Sequence, residues 1–207
     1  MAGTFIDMVN RITTELRRSN AATDVKQAIN DAIDEASKER FYFNETTDKT
    51  FNTVNGQEFY PDLGFVEIDA LWWLSGSTRY NVPLVNNDEL DDAADGNVLG
   101  GQLLAVSHTA GQLRLYPIPT SVVPVHLTGY GNILTPNPLV NDADTNAWMT
   151  TAEQFIRALA KRNYLRDIVR DYGEARVYDT MAEEYKSQLI ERTAIKSSTG
   201  NIKATAF

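Results

Sequence analysis

This chain of 207 residues contains no cysteine, which removes a disulfide framework, thiolate metal sites and any thiol nucleophile together. No apolar run approaches the roughly 20 residues that a membrane-spanning helix needs, so no membrane association is expected. The start Met1-Ala2-Gly3-Thr4 lacks the basic and apolar regions of an export signal, and the expectation is a soluble chain that is not exported. Histidine is nearly absent. His108 and His126 have no partner at metal spacing and no HExxH occurs, so each reads as a strand residue. Positive charge is also scarce, with 19 Lys and Arg against 28 Asp and Glu. The resulting net charge of −9 argues against general nucleic-acid binding, whose affinity comes from attraction to phosphates.

The motifs that carry chemistry are missing as well. There is no GxSxG elbow, and Gly96, Gly100 and Gly101 are not followed by the Lys-Ser/Thr of a phosphate loop. The acidic run from Asp88 to Gly96 invites a calcium reading, because a loop begun at Asp91 puts Asp95 and Gly96 in register. Ala93 then stands where a second ligand is needed and Gln102 replaces the closing bidentate Glu, so a solvated turn or short helix explains the run better. Carboxylates are plentiful, yet no pair is singled out as a glycosidase would require. The expectation is a chain that is not an enzyme, with no catalytic residue, metal site or cofactor.

What is present is a layout. Thr4 and Asp7 form a capping box for a helix in which Phe5, Met8, Val9, Ile12 and Leu16 recur at helical spacing as far as Arg17-Arg18. Thr23 is placed to cap a second helix with the stripe Val25, Ile29, Ala32, Ile33 and Ala36, and the aromatic knot Phe41-Tyr42-Phe43 follows. The pattern then turns to strands. Phe51 to Val54, Asn55-Gly56 and Gln57 to Tyr60 read as a hairpin with a type I′ turn. Val66 to Leu74 and Thr78 to Val85 read as a second hairpin around Ser75-Gly76-Ser77, with further strands at Leu103 to Ser107, Leu113 to Tyr116 and Val122 to Tyr130. Pro136-Asn137-Pro138 marks the exit from the strands. Thr150 to Glu153 reads as a capping box for a helix carrying Ile156, Leu159, Ala160, Leu165, Ile168 and Val169. Gly173 supplies its C-cap, and a last helix shows Val177, Tyr178, Met181, Tyr185 and Leu189 on one face. From Lys196 onward no period remains, so that segment cannot pack a core. The expected fold class is α+β. Helix pairs from both ends (1–43 and 149–195) make a helical bundle, with a central antiparallel β insertion (44–148) and an extended carboxy-terminal tail (196–207).

Charge and aromatic placement single out surfaces rather than pockets. Residues 41–148 hold 13 acids and 3 bases, so nearly all the excess negative charge lies in the middle, centred on Asp88, Asp91, Asp92 and Asp95. Trp72-Trp73 falls mid-strand, which aims the two rings at opposite faces. One ring can fill the core; the other needs cover from a second layer of the domain or from a neighbouring subunit, making the pair candidates for a subunit interface. Arg157, Lys161, Arg162, Arg166 and Arg170 recur at helical spacing in a segment that is neutral overall. They are expected to pair with Glu174, Asp179, Glu183 and Glu184 of the following helix rather than to meet nucleic acid.

The helical pair containing Val25-Lys26-Gln27-Ala28-Ile29-Asn30-Asp31-Ala32-Ile33 and ending in Phe41-Tyr42-Phe43 is followed by the β insertion and the helix from Thr151 to Tyr172. The Gly173 turn, the helix with Tyr178, Met181, Tyr185 and Leu189, and the loose tail complete the pattern. Together they resemble the head-to-tail adaptor, or connector, proteins of tailed bacteriophages. The resemblance implies a virion neck protein made in the host cytoplasm. It would form a ring of twelve copies that joins a portal protein to a tail nozzle or tube, with DNA passing through and not specifically bound. It also implies that the helices form the ring body and that the carboxy-terminal segment reaches the portal, with Lys196, Ser197, Ser198, Ile202, Lys203 and Phe207 as contacts. The acidic middle would then line the channel or face the tail protein. The alternative is a carbohydrate-binding or carbohydrate-processing phage tail protein, for which Trp72, Trp73, Tyr80, Tyr116 and Tyr130 are the available aromatics.

Overall fold

A computed structural model of the chain describes residues 3–95 and 103–198. In chain order the elements are α1 (Phe5–Glu15), α2 (Ala22–Ala36), β1 (Glu45–Asn52), β2 (Phe59–Pro61), β3 (Phe65–Ser75), β4 (Thr78–Val82), β5 (Leu84–Val85) and α3 (Asn87–Asp95). They continue with β6 (Ala105–Thr109), β7 (Gln112–Tyr116), β8 (Pro124–Gly131), α4 (Ala147–Thr150), α5 (Glu153–Asn163), a π-helical turn (Tyr164–Val169) and α6 (Tyr172–Ser198). The fold is α+β. Two compact units divide it: a helical one built from the stretches up to Asn44 and from Leu134 onward, and a β-rich one, Glu45–Ile133.

In the helical unit, Thr4 caps α1 as its sequence demands. The Thr4 hydroxyl accepts from the Asp7 N–H at 3.3 Å while the Asp7 carboxylate accepts from the Thr4 N–H at 3.1 Å. The helix ends in a Schellman turn in which the Arg18 N–H reaches Thr13 O at 2.9 Å and the Arg17 N–H reaches Thr14 O at 3.1 Å, with Arg17 at φ 52°. That turn also sets the start of α2. The Ala21 N–H bonds Arg18 O at 3.2 Å and Ala21 O accepts from Val25, so α2 begins two residues too early for Thr23 to cap it.

The α2 stripe Val25, Ile29, Ala32, Ile33 and Ala36 is fully buried, with Phe5, Met8, Val9 and Ile12 of α1 and Ile156, Leu159 and Ala160 of α5 in the same core. Each Ile or Leu so buried contributes about 1.5–3 kcal/mol over an exposed one. Phe41 anchors the aromatic knot at the centre of this core. It stacks on Phe43 at 5.5 Å and meets Trp148 and Phe155 edge-on. Leu139 and Trp148, in the stretch expected to belong with the strands, are buried with the helices instead.

Two helix boundaries differ from expectation. Asn146 caps α4 by accepting from Trp148 N–H at 3.0 Å and Met149 N–H at 3.3 Å, and the Thr150 hydroxyl donates back to Asn146 O. Thr150 is thereby committed inside a helical turn, so no capping box forms with Glu153, and α5 starts without a side-chain cap. At the other end α5 widens into the π turn, and Arg170 at φ 61° takes the left-handed position assigned to Gly173. The Asp171 carboxylate then caps α6 by accepting from the Glu174 N–H at 3.0 Å, which leaves Gly173 inside the new helix.

The β-rich unit holds two four-stranded sheets, β1-β8-β3-β4 and β2-β7-β6-β5. Val66 to Leu74 does pair with the strand beyond Gly76, as β3 with β4 through Ser75↔Thr78. Pro83 ends β4, and Leu84–Val85 crosses to the second sheet to run parallel to β6, so the insertion is not wholly antiparallel. The expected hairpin around Asn55-Gly56 does not form: β1 pairs with β8 and β2 with β7. Of the two turn residues only Gly56 has positive φ, 76°, whereas a type I′ turn needs both. The Tyr60 hydroxyl instead ties the loop, accepting from the Val54 N–H at 2.9 Å, and the chain passes from one sheet to the other. Ala110 (φ 53°) and Gly111 (φ 74°) do supply that pair of positive angles, and they join β6 to β7. Leu71, Trp73, Val106, Leu113, Leu115, Val125 and Leu127 form the core of this unit.

Candidate assembly surfaces

The two tryptophans do point to opposite faces of β3. Trp73 is a core residue at 5% exposure, stacked on Tyr80 at 5.1 Å. Trp72 faces outward, but its rings are covered from the same sheet: the His126 imidazole lies parallel at 3.9 Å and the Arg79 guanidinium sits at 4.3 Å. Register explains this, since His126 pairs with Trp72 across β8 and β3, while Arg79 comes from the adjoining β4. The indole N–H of Trp72 is enclosed and has no acceptor among the described residues. In the stretch read as a strand from Val122, Val125 is buried and Val123 half-buried against the core, whereas Val122 is 68% exposed.

The acidic segment folds as α3 over Asn87–Asp95, which replaces the loop a calcium site would need. Asn86 caps it by accepting from the Glu89 N–H at 2.8 Å, and Leu90 is buried. Asp91 is exposed but paired: Arg114 of β7 donates to its carboxylate at 2.5 Å and to Glu58 at 2.5 Å. These two partners hold the Arg114 guanidinium above its ordinary pKa, Glu58 contributing most. Asp88 and Asp92 are exposed, and the side chain of Asp95 lies outside the described residues.

The carboxy-terminal contacts fall on both sides of the described boundary. Lys196, Ser197 and Ser198 continue α6 rather than starting an extended tail, because no helix breaker intervenes before Gly200. The Lys196 ammonium sits 3.7 Å from the Tyr42 ring, so it contributes to packing within the helical unit. Ile202, Lys203 and Phe207 lie outside the described residues.

The basic stripe is used mainly against the first two helices. Lys161 bonds Glu15, Arg157 lies 3.5 Å from Glu15, and Arg162 reaches both Glu35 and, at 3.1 Å, Asp179. Among the described residues, Asp179 is the one of the expected acids that pairs with the stripe. The stripe faces α1 and α2 because α5 is the helix buried between them and α6. Arg166 turns to its neighbour Asp167 at 2.7 Å, which lowers the Asp167 pKa, with that hydrogen bond the largest cause.

Neither histidine joins a metal cluster: among the described residues no group of three His, Cys, Asp or Glu could hold an ion. His108 lies 3.4 Å from Asp62, and His126 Nδ1 lies 2.5 Å from Asp48. A hollow of about 230 Å³ at the α4–α5 junction contains Glu153 as its one carboxylate, and Glu153 is already paired with Arg11. No described helix is long and apolar enough to cross a membrane. Trp72 is packed by His126 and Arg79, and Trp73 lies in the core.

Sequence reading missed two exposed apolar surfaces. One is a tip formed by the loops at 53–57 and 117–123, where Val54, Ile118 and Val122 face solvent. Buried Thr53 locks these loops together, its N–H donating to Val123 O at 2.9 Å and its hydroxyl to Ser121 O at 2.9 Å. The other is α6, along which Tyr172, Val177, Ile190 and Ile195 are exposed singly, Tyr172 and Ile190 on one side of the helix and Val177 and Ile195 on another. Exposed aliphatics gathered on fixed backbone, as at the loop tip, mark protein interfaces.

Among the described residues the distinctive features are thus exposed surfaces rather than an enclosed site. The chain belongs to the SU10 adaptor protein family, whose model matches residues 3–203, and it is thus a member of a family of phage head-to-tail adaptors. No curated protein matches it.

Proposed function

We propose that this chain forms a closed ring of identical copies, twelve in number, that joins a portal protein to the tail nozzle or tube and surrounds the DNA channel. The observation that carries the proposal is the family match across nearly the whole chain. The exposed aliphatics of α6 and of the loop tip support it, since a ring needs two unlike surfaces on each copy. In this reading the helical unit is the ring body, and the segment from Lys196 through Ser197, Ser198, Ile202, Lys203 and Phe207 meets the portal. Multivalency around the ring offsets the cost of ordering each such segment. Asp88 and Asp92 face the channel or the tail protein, where like charge leaves DNA phosphates no place to dwell. The protein acts without catalysis, metal or cofactor, as a virion component made in the host cytoplasm. Phage assembled without this chain should yield DNA-filled heads that carry no tails; tailed infectious particles under those conditions would overturn the proposal.

A further inference from the structure

Several cations of the helical unit are engaged, Arg11, Lys26, Arg157, Lys161, Arg162 and Lys186 bonding carboxylates, while Lys38, Arg170, Arg176 and Arg192 are exposed singly with no carboxylate partner among the described residues. Arg17 and Arg18, in the turn between α1 and α2, are exposed and bond no carboxylate among the described residues. Asp24 lines the hollow beside them but pairs with neither. Their backbone is fixed by the Schellman hydrogen bonds, so the two guanidinium groups project from a rigid base. Arg17 occupies the left-handed position that glycine normally takes, at φ 52°, a conformation costing a side-chain-bearing residue about 1–2 kcal/mol. Folding alone would favour glycine at that position.

The opposite charge stands unpaired on the other unit. With Leu90 buried and Asp91 tied to Arg114, α3 turns Asp88, Glu89 and Asp92 to solvent, and none of the three bonds a cation among the described residues. We propose that within the ring the α1–α2 turn of one copy binds the outer face of α3 on the next copy. This rests on the ring reading above and deepens it by naming the contact, and it replaces the channel or tail-protein role given there to Asp88 and Asp92. Charge complementarity selects the occupant. Copies of net charge −9 repel one another, and contact is favoured where one brings unpaired arginines to the other's unpaired carboxylates. The two patches are unlike and lie on the same chain, as a closing interface requires.

The test is a charge swap, read as the fraction of portals carrying a closed ring in electron micrographs. Arg17→Glu with Arg18→Glu should lower that fraction about tenfold, as should Asp88→Lys with Glu89→Lys and Asp92→Lys. All five substitutions in one chain should restore it to within about twofold of wild type, since each interface regains opposite charges. Arg17→Gly with Arg18→Ala guards against misfolding: it relieves the backbone, so Tm should rise while ring formation falls. Rings unaffected by either reversal overturn the contact, and so does a loss that the combined swap fails to rescue, which would assign the arginines to DNA or to another protein. Wild-type chain that forms no ring on portal refutes the ring reading itself, a separate result visible in the same micrographs.

Discussion

At the scale of single residues, the acids that look alike in sequence have different work. Asp88, Asp91 and Asp92 are all exposed on the same short helix, but Asp91 is held by Arg114 and the other two bond no cation among the described residues. Asp91→Asn should therefore cost about 0.5–1 kcal/mol in chemical denaturation, while Asp88→Asn and Asp92→Asn should stay within about 0.5 kcal/mol of wild type. Asp48 gives a pH signature. The hydrogen bond from His126 is the largest cause holding its carboxyl below the ordinary value of 3.8, assisted by the Thr50 hydroxyl. A carboxylate depressed in the fold stabilises it above the unfolded value, and that contribution is lost as pH falls through the folded value. Wild type should thus melt above Asp48→Asn at neutral pH, and the gap between the two Tm values should close as pH drops below 3.8. A gap that persists in acid would show that Asp48 acts by packing rather than by charge.

At the scale of elements, the β3–β8 pair is the axis of the first sheet, and Gly129 is where it is least forgiving. A Cβ there would lie 2.2 Å from Glu67 O and 3.0 Å from Ile68 Cα, backbone atoms that cannot swing aside. Gly129→Ala should destabilise the protein by about 1–3 kcal/mol in urea unfolding, or part the strands locally so that β3 amides exchange faster. This close approach was not legible beforehand, because it arises from a register shift between Ile68 and Ala70 in a partner strand far along the chain. What was legible is what is local. The Thr4 cap, the α2 stripe and the turn at Gly76 depend on neighbours within a few residues, and they stand where expected. Strand partnership depends on distant residues. The Asn55-Gly56 signal was correct as a turn, but the pairing that would make it a hairpin was outcompeted by β8 and β7. The same limit hid the sites. Nothing in Trp72-Trp73 foretells that His126 and Arg79 close over the outer ring, and the exposed tip at Val54, Ile118 and Val122 exists only once Thr53 clasps two loops.

At the scale of the whole molecule, the core of the helical unit lies within residues 5–189 among the described residues, and the sequence from Lys196 onward has no core-forming period. Deleting residues 199–207 should leave Tm unchanged and lower the affinity for portal about tenfold, measured with assembled rings so that avidity is included. Equal binding by the truncated chain would make that segment a bystander and move the portal contact to the helices. The ring itself is the central claim, and copy counting by electron microscopy of purified portal mixed with this chain tests it most directly. The account predicts a closed ring of identical copies seated on one face of the portal. A single bound copy per portal, or portal left bare at saturating concentration, would contradict it.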